Sequence, residues 1–186
     1  MHQIKVSGKF QPLFDLSPDI HTYILTGGRN SQKSFAASLA SVNACKEYNH
    51  RVLYSRYTNM SLKDSIYAEV EEKIDMMNFN NLFTLQNDRI IYNYDQGKIV
   101  FKGLKAGSKV QTANLKGLKD FSMWILDEAE ELNDEDIYNK ISLSVRGNKK
   151  SDQQKNIKVL IPLFLLLVIK LNMYLQSLFR AVTAVV

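Results

Sequence analysis

Cysteine, tryptophan and proline are scarce in this chain, with one, one and three respectively among 186 residues. The lone Cys45 excludes an internal disulfide framework and suits a reducing compartment. The opening Met1-His2-Gln3-Ile4-Lys5 lacks the apolar stretch an export signal needs, so export is not expected. The apolar run Val159–Ile169 contains Pro162 and is closed by Lys170. A bilayer-spanning helix takes about 20 apolar residues, so the run reads as a buried strand or helix and no membrane association is expected. His2, His21 and His50 stand apart from one another, which leaves no zinc-ligand spacing and no Ser-His-Asp arrangement.

What is present describes an ordinary globular chain. Hydrophobic residues make up 45% and charged residues 23%, enough apolar mass for one real core plus some additional chain. The net charge is +5, a mild pull toward polyanionic partners that selects no function by itself. Two stretches are strongly biased. Residues 98–119 carry Lys98, Lys102, Lys105, Lys109, Lys116 and Lys119 with no acid among them, while residues 127–136 (DEAEELNDED) hold seven acids. The lysines are placed either to track nucleic-acid phosphates without reading sequence, or simply to form a solvated face.

Pattern and punctuation predict alternating strands and helices. Tyr23-Ile24-Leu25 reads as a strand running into Gly27-Gly28, Phe35–Tyr48 as a helix rich in small residues, and Arg51–Tyr57 as a second strand. Leu62–Met77 places Leu62, Ile66, Val70, Ile74 and Met77 at helical spacing. Asn81–Gln86, Ile90–Tyr94 and Ile99–Lys102 form a meander punctuated by Asn87-Asp88 and Asp95-Gln96-Gly97, and Met123–Leu126 is a further apolar strand. The expected fold is therefore α/β: a mainly parallel central sheet flanked by helices, with a small β-meander insertion.

The strongest chemical signal is Gly27-Gly28-Arg29-Asn30-Ser31-Gln32-Lys33-Ser34, between a predicted strand and a predicted helix. This is the context of a phosphate-binding P-loop, GxxxxGK[ST]. Successive backbone N–H groups and the positive end of the helix dipole suit phosphate oxygens. Lys33 is placed to reach the β- and γ-phosphates, and the Ser34 hydroxyl to hold Mg²⁺. Gln32 departs from the pattern, standing where a second glycine is usual because the backbone there takes a left-handed conformation. Met123–Leu126 then delivers the adjacent acids Asp127 and Glu128. A P-loop site needs a carboxylate at the end of a neighbouring strand for the metal, and a second beside it to orient water. Asp127 is assigned to the metal and Glu128 to the water.

GGRNSQKS, RVLYSRYTNMSLKDSIYAEVEEKI, IVFKGL and LKGLKDFSMWILDEAEEL together resemble the large terminase subunits of tailed bacteriophages, over roughly residues 10–147. The resemblance implies an Mg²⁺-dependent ATPase motor, bound to ATP, that drives double-stranded DNA into a capsid. It further implies a portal protein and a small terminase subunit as partners, a homo-oligomeric ring, and the cytoplasm of a bacterial host. By the same resemblance Lys33 and Ser34 match the phosphate and metal residues, Asp127 the metal acid and Glu128 the catalytic glutamate. Arg29 matches an arginine within the P-loop, and Arg56 an arginine after the second strand whose role is left open between offsetting γ-phosphate charge and an ordinary salt bridge.

Beyond 147 the family pattern is not recognisable. Residues 148–186 read as a basic linker and an atypical apolar tail, as if the reading frame were interrupted or shifted near residue 155. The nuclease domain of the family is absent, so no nuclease activity is expected. The sequence leaves three readings: the terminase ATPase core, incomplete; a catalytically inactive prophage remnant; or another P-loop ATPase acting on DNA.

Overall fold

Strands and helices alternate through the computed structural model, which describes residues 4–16, 20–57, 63–104, 120–132, 135–145, 157–161 and 183–185. In chain order the elements are α1 (Gln11–Asp15), β1 (Thr22–Ile24), α2 (Lys33–Tyr48), β2 (Arg51–Arg56), α3 (Ala68–Met76), β3 (Phe83–Leu85), β4 (Arg89–Tyr92), β5 (Lys98–Gly103), β6 (Met123–Asp127), α4 (Glu135–Ser144), β7 (Ile157–Ile161) and β8 (Thr183–Val185). Among the described residues, eight strands make one sheet in the order β3-β4-β5-β2-β6-β7-β1-β8. Every pairing from β5 through β8 is parallel, and β3-β4-β5 is antiparallel. The expected meander is present, and its last strand doubles as a parallel neighbour of β2.

Side-chain alternation along the strands divides the core into two layers. Tyr23, Val52, Tyr54, Ile99, Phe101, Met123, Ile125, Ile157, Val159 and Ile161 face one side and pack with the buried side chains of α1, α2 and α3. Ile24, Leu53, Val100, Trp124 and Leu126 face the other and meet Ile137 and Ile141 of α4. Because the central strands are covered on both faces, their sequences read as continuous apolar runs rather than as alternation. The buried Trp124 indole donates to Ser55 Oγ at 2.8 Å, and that hydroxyl donates to the Ile125 carbonyl at 3.3 Å, so both of these buried polar side chains are satisfied.

Small residues set how closely α2 lies on the sheet: Ala36, Ala37, Ala40, Ser41 and Ala44 are all buried. Asn49, at φ 55°, takes the left-handed conformation that ends the helix, and the next N–H, of His50, bonds the Ala44 carbonyl at 3.0 Å. Gly97, just before β5, passes so close to α2 that a Cβ there would lie 2.5 Å from the Cys45 carbonyl oxygen. At the amino-terminal edge of the sheet His50 is 3% exposed, with Nδ1 2.8 Å from Ser122 Oγ. Burial pushes its pKa down to about 4.

Two elements differ from the sequence reading. The helix expected over Leu62–Met77 has a first turn, Lys63–Tyr67, wound as π-helix, and α3 follows from Ala68. Its apolar spacing is nevertheless realised, with Ile66, Val70 and Ile74 buried. More consequential is β7. The sequence reading closes the terminase-like part at 147, yet Ile157–Ile161 enters the sheet between β6 and β1, parallel to both. The change to apolar composition near residue 155 is the beginning of a core strand. Its one charged residue, Lys158, donates its ammonium to Ser142 Oγ on α4. Leu62, Lys105, Lys109, Lys116, Lys119 and residues 162–182 lie outside the described residues.

Candidate functional site

Parallel strands point their carboxyl ends the same way, and a crevice forms where the connections from neighbouring strands diverge. Here that crevice is a cleft of about 400 Å³ lined by residues 28–35, Arg56, Glu69, Asp127, Glu128 and Ile161. Three separate strands and two helices therefore bring the loop and both acids singled out in the sequence to one place.

The loop between β1 and α2 is shaped by backbone conformation. Gly27 sits at φ 140°, and a Cβ there would lie 2.9 Å from Ser31 Cβ and Oγ. Asn30 (φ 63°) and Gln32 (φ 65°) are both left-handed, and Gln32 is the residue from which α2 starts. The departure at Gln32 thus falls on a position whose backbone asks for glycine. Lys33 is 8% exposed. Its ammonium folds back on the loop, donating to the carbonyls of Gly27 (2.5 Å) and Gly28 (3.0 Å) and to Ser31 Oγ (3.1 Å). Burial lowers its pKa, and the charges of Asp127 and Glu130 oppose that shift. Ser34 lines the cleft beside it, while Gly28, Arg29 and Asn30 form an exposed rim. Gly27 shapes the turn without lining the cleft.

The acids arrive on β6, all of whose residues are buried. Successive side chains of a strand point to opposite faces, so two adjacent acids would normally diverge. Glu128 breaks the alternation with a left-handed backbone, φ 50° and ψ 50°, and both side chains line the same cleft. Arg56 meets them because of strand order. It ends β2, which lies beside β6 with Ser55 opposite Leu126, so the next residue along comes level with Asp127. Its guanidinium donates to Asp127 Oδ2 from Nε (3.2 Å) and Nη2 (2.5 Å), and Nε lies 3.3 Å from Glu128 Oε2. The three side chains are 12%, 8% and 30% exposed, so this is a largely desolvated cluster and not a surface pair. Burial raises the Glu128 pKa, against the opposing pull of Arg56. For Arg56 burial works to lower the pKa, but the Asp127 hydrogen bond and charge raise it overall.

Three cleft residues were not singled out in the sequence: Phe35, which follows the loop on α2, Ile161 and Glu69. Ile161 comes from β7, where it pairs with Asp127. Glu69 comes from the first turn of α3. Its position in a run of acids and a lysine (EVEEK) resembles any solvated helix face, and only the packing of α3 against α2 turns it to the cleft.

Comparison with known proteins agrees with this architecture. The chain is 24% identical over 145 residues to the terminase large subunit of Bacillus phage SPP1, covering 74% of this chain and 34% of that protein. It spans about a third of the length of that curated relative. Among solved structures, the large terminase of bacteriophage HK97 superposes with a TM-score of 0.67 at 14% identity, covering 98% of this chain and 39% of that one. The large terminase of a thermophilic bacteriophage, in complex with ADP, superposes at 0.61 and 12% identity, covering 84% and 38%. The N-terminal domain of the DNA packaging ATPase from bacteriophage phi29 superposes at 0.60 and 17% identity, covering 92% and 86%. The sequence pattern of the family described as phage terminase large subunit matches residues 20–161, from just before β1 to the end of β7. The chain belongs to the phage terminase large subunit family.

Proposed function

We propose that this chain is an ATP-binding and ATP-hydrolysing motor domain of a phage DNA-packaging terminase. The observation that carries the reading is the single cleft in which the loop lysine Lys33 meets the strand-end acids Asp127 and Glu128. The domain read from the sequence as residues 1–147 takes in β7 as well, since β7 joins the strand of the loop to the strand of the acids. That the thermophilic phage terminase was solved in complex with ADP supports nucleotide as the ligand class.

The donor set fits a magnesium-bound nucleotide. A hydroxyl on the first turn of α2 and a carboxylate at the end of β6 line the same cleft, and Mg²⁺ takes a few hard oxygen ligands from protein and the rest from phosphate and water. Ser34 and Asp127 would hold it, and the ion would neutralise charge on the phosphate oxygens. The chain's own groups do the rest. The amino-terminal end of α2 and the loop N–H groups cradle the phosphates. Lys33, stored against its own loop carbonyls, exchanges those bonds for phosphate oxygens as the triphosphate enters. Glu128 orients a water in line with the γ-phosphate and accepts its proton, a task helped by the burial that raises its pKa toward neutrality. Arg29 on the rim, and Arg56 beside the acids, are the cations available to the developing charge. By family membership the translocated partner is double-stranded DNA, with the portal and small terminase subunit alongside a ring of copies of this chain, in the bacterial cytoplasm.

The test is thermal unfolding with ATP and Mg²⁺, together with phosphate release. At a hundredfold excess over the dissociation constant, binding stabilises the native state by about 2.7 kcal/mol. Wild-type protein is expected to gain this and Lys33→Ala to lose it, with Glu128→Gln retaining binding but losing turnover. A wild-type chain indifferent to nucleotide would refute the reading, and one that binds without turnover unaffected by Glu128→Gln would identify the inactive remnant.

A further inference from the structure

Four cations on the outer strands of the sheet have no part in the mechanism above, and strand register puts them on one face. Lys98, Val100 and Lys102 alternate along β5 with Ile99 and Phe101, which belong to the layer packed on α2. Both lysines therefore lie on the other side, with Val100. Arg51 of β2 pairs with Lys98, and Arg89 of β4 pairs with Val100, so both arginines share that face. This part of the face is open: Arg89 is exposed, and Arg51, Lys98 and Lys102 are half-buried.

Their charge is poorly balanced within the chain. Asp88 holds Arg89 at 2.8 Å, but Arg51, Lys98 and Lys102 have no carboxylate within 4 Å among the described residues. Arg51 donates to the neutral Gln96 side chain, and the Lys98 ammonium lies 5.8 Å from the centre of the Phe121 ring. Burial lowers the Lys98 pKa, and Arg51, Arg89 and Lys102 push it the same way against the pull of Asp120. Like charges gathered this closely destabilise the free protein, and an external polyanion relieves them.

The shape of the patch selects the anion. Lys98 and Lys102 stand about 13 Å apart along β5, at roughly 3.3 Å per residue, with the arginines on the flanking strands. That spread is too wide for a single phosphate group, whereas a nucleic-acid duplex presents about seven phosphate charges over the same length. The patch has no ring for an unpaired base to stack on, since Phe101 is turned to the opposite layer and Phe121 is 4% exposed. We propose that Arg51, Arg89, Lys98 and Lys102 form a docking surface for the phosphate backbone of a double-stranded nucleic acid, held without regard to base sequence. The inference rests on the motor reading above only in naming that duplex as DNA. The row of cations ends one residue short of Gly103, which pairs with the cleft residue Arg56. The strand that carries the duplex is thus hydrogen-bonded to a strand that lines the nucleotide cleft.

The experiment is fluorescence anisotropy of a labelled DNA duplex of about 30 base pairs, titrated with the full chain without nucleotide, from about 50 to 200 mM NaCl. Wild type, the Arg51→Gln/Lys98→Gln/Lys102→Gln variant and Lys98→Arg/Lys102→Arg are compared, each checked for a cooperative thermal transition and for self-association by sedimentation. A control, Lys5→Gln/Lys9→Gln/Lys46→Gln, removes the same charge from segments packed on the opposite layer of the core. Expected in the patch variant is a slope of log affinity against log salt shallower by about 2.7, roughly 0.9 for each cation removed. The loss should be equal on duplexes of unrelated sequence. The control keeps a slope near that of wild type, and the double arginine variant keeps its affinity. A patch variant that binds duplex like the control overturns the docking surface; if it has instead lost self-association, the patch is a contact between copies of the chain. Wild-type protein that binds no duplex overturns both the surface and DNA as the partner. Wild-type protein that binds duplex through the patch but is indifferent to ATP in the thermal test overturns the motor reading and leaves the surface standing.

Discussion

Replacing Arg56 by alanine is the most discriminating single perturbation of the cleft. The guanidinium is the cation held against Asp127 and Glu128, which are 8% and 30% exposed. Removing one member of a fully buried ion pair destabilises by about 3–5 kcal/mol. Glu128 keeps some contact with water, which lowers the expectation here to about 2–3 kcal/mol. At roughly 2–4 °C per kcal/mol for a chain of this size, the unfolding midpoint in EDTA should fall by about 4–12 °C. The loss also has a signature. Arg56 opposes the burial that raises the Glu128 pKa, so without it Glu128 is raised further; the deficit should be greatest near neutral pH and shrink as the pH drops and Glu128 takes a proton. A divalent cation supplies the same compensation, so millimolar Mg²⁺ should recover most of the midpoint. Thermal unfolding by circular dichroism at several pH values, with EDTA or Mg²⁺, reads all three effects. An Arg56→Ala protein as stable as wild type in EDTA, or one indifferent to Mg²⁺, would show that the acids are not balanced in this way.

Three further expectations concern the frame around the cleft. Gln32 occupies a left-handed backbone at φ 65°, so Gln32→Gly should raise stability by about 0.5–1 kcal/mol in a denaturant titration; a decrease would mean the side chain contributes more than the strain removes. Gly97→Ala brings a Cβ to 2.5 Å from the Cys45 carbonyl oxygen, backbone that cannot turn aside, and the same titration should show a loss of about 2 kcal/mol or more, the order of an overpacked core position. His50 has a native pKa near 4 against about 6.5 in an unfolded chain, so below pH 6.5 the unfolded state binds the extra proton. Its contribution is complete above pH 6.5 and lost as the pH falls through 4, about 3 kcal/mol over the window, a slope that the His50→Asn variant should lack.

The elements most legible in the sequence are those whose side chains have one task. Met123–Leu126, apolar throughout and ending in two acids, announces a buried strand because a strand covered on both faces has no polar side. The eight residues from Gly27 to Ser34 announce a loop because glycine and backbone N–H groups do the work there. Less legible is anything decided by strand order. Nothing around Arg56 says that β2 lies beside β6, so its partner had to come from the register that sets Ser55 against Leu126. Glu69 is hidden for a similar reason, as one acid among several on α3. The strand Ile157–Ile161 was obscured by its surroundings: a polar, basic stretch before it, Lys158 within it and Pro162 after it. Lys158 is tolerated because Ser142 of α4 accepts its ammonium, a contact between segments that no local pattern reveals.

The place of β7 has a bearing on how the protein is made. Thr22 pairs with Lys158, and Asp127 with Ile161, so the loop-bearing strand and the acid-bearing strand meet only through a segment translated after both. During synthesis the earlier part of the chain can form helices and the β2–β5–β6 ladder with α2 packed on it, but β1 joins that sheet only once β7 lies between it and β6. Completion of the cleft is thus late in the order of synthesis, since Ile161 follows every other described lining residue in the chain.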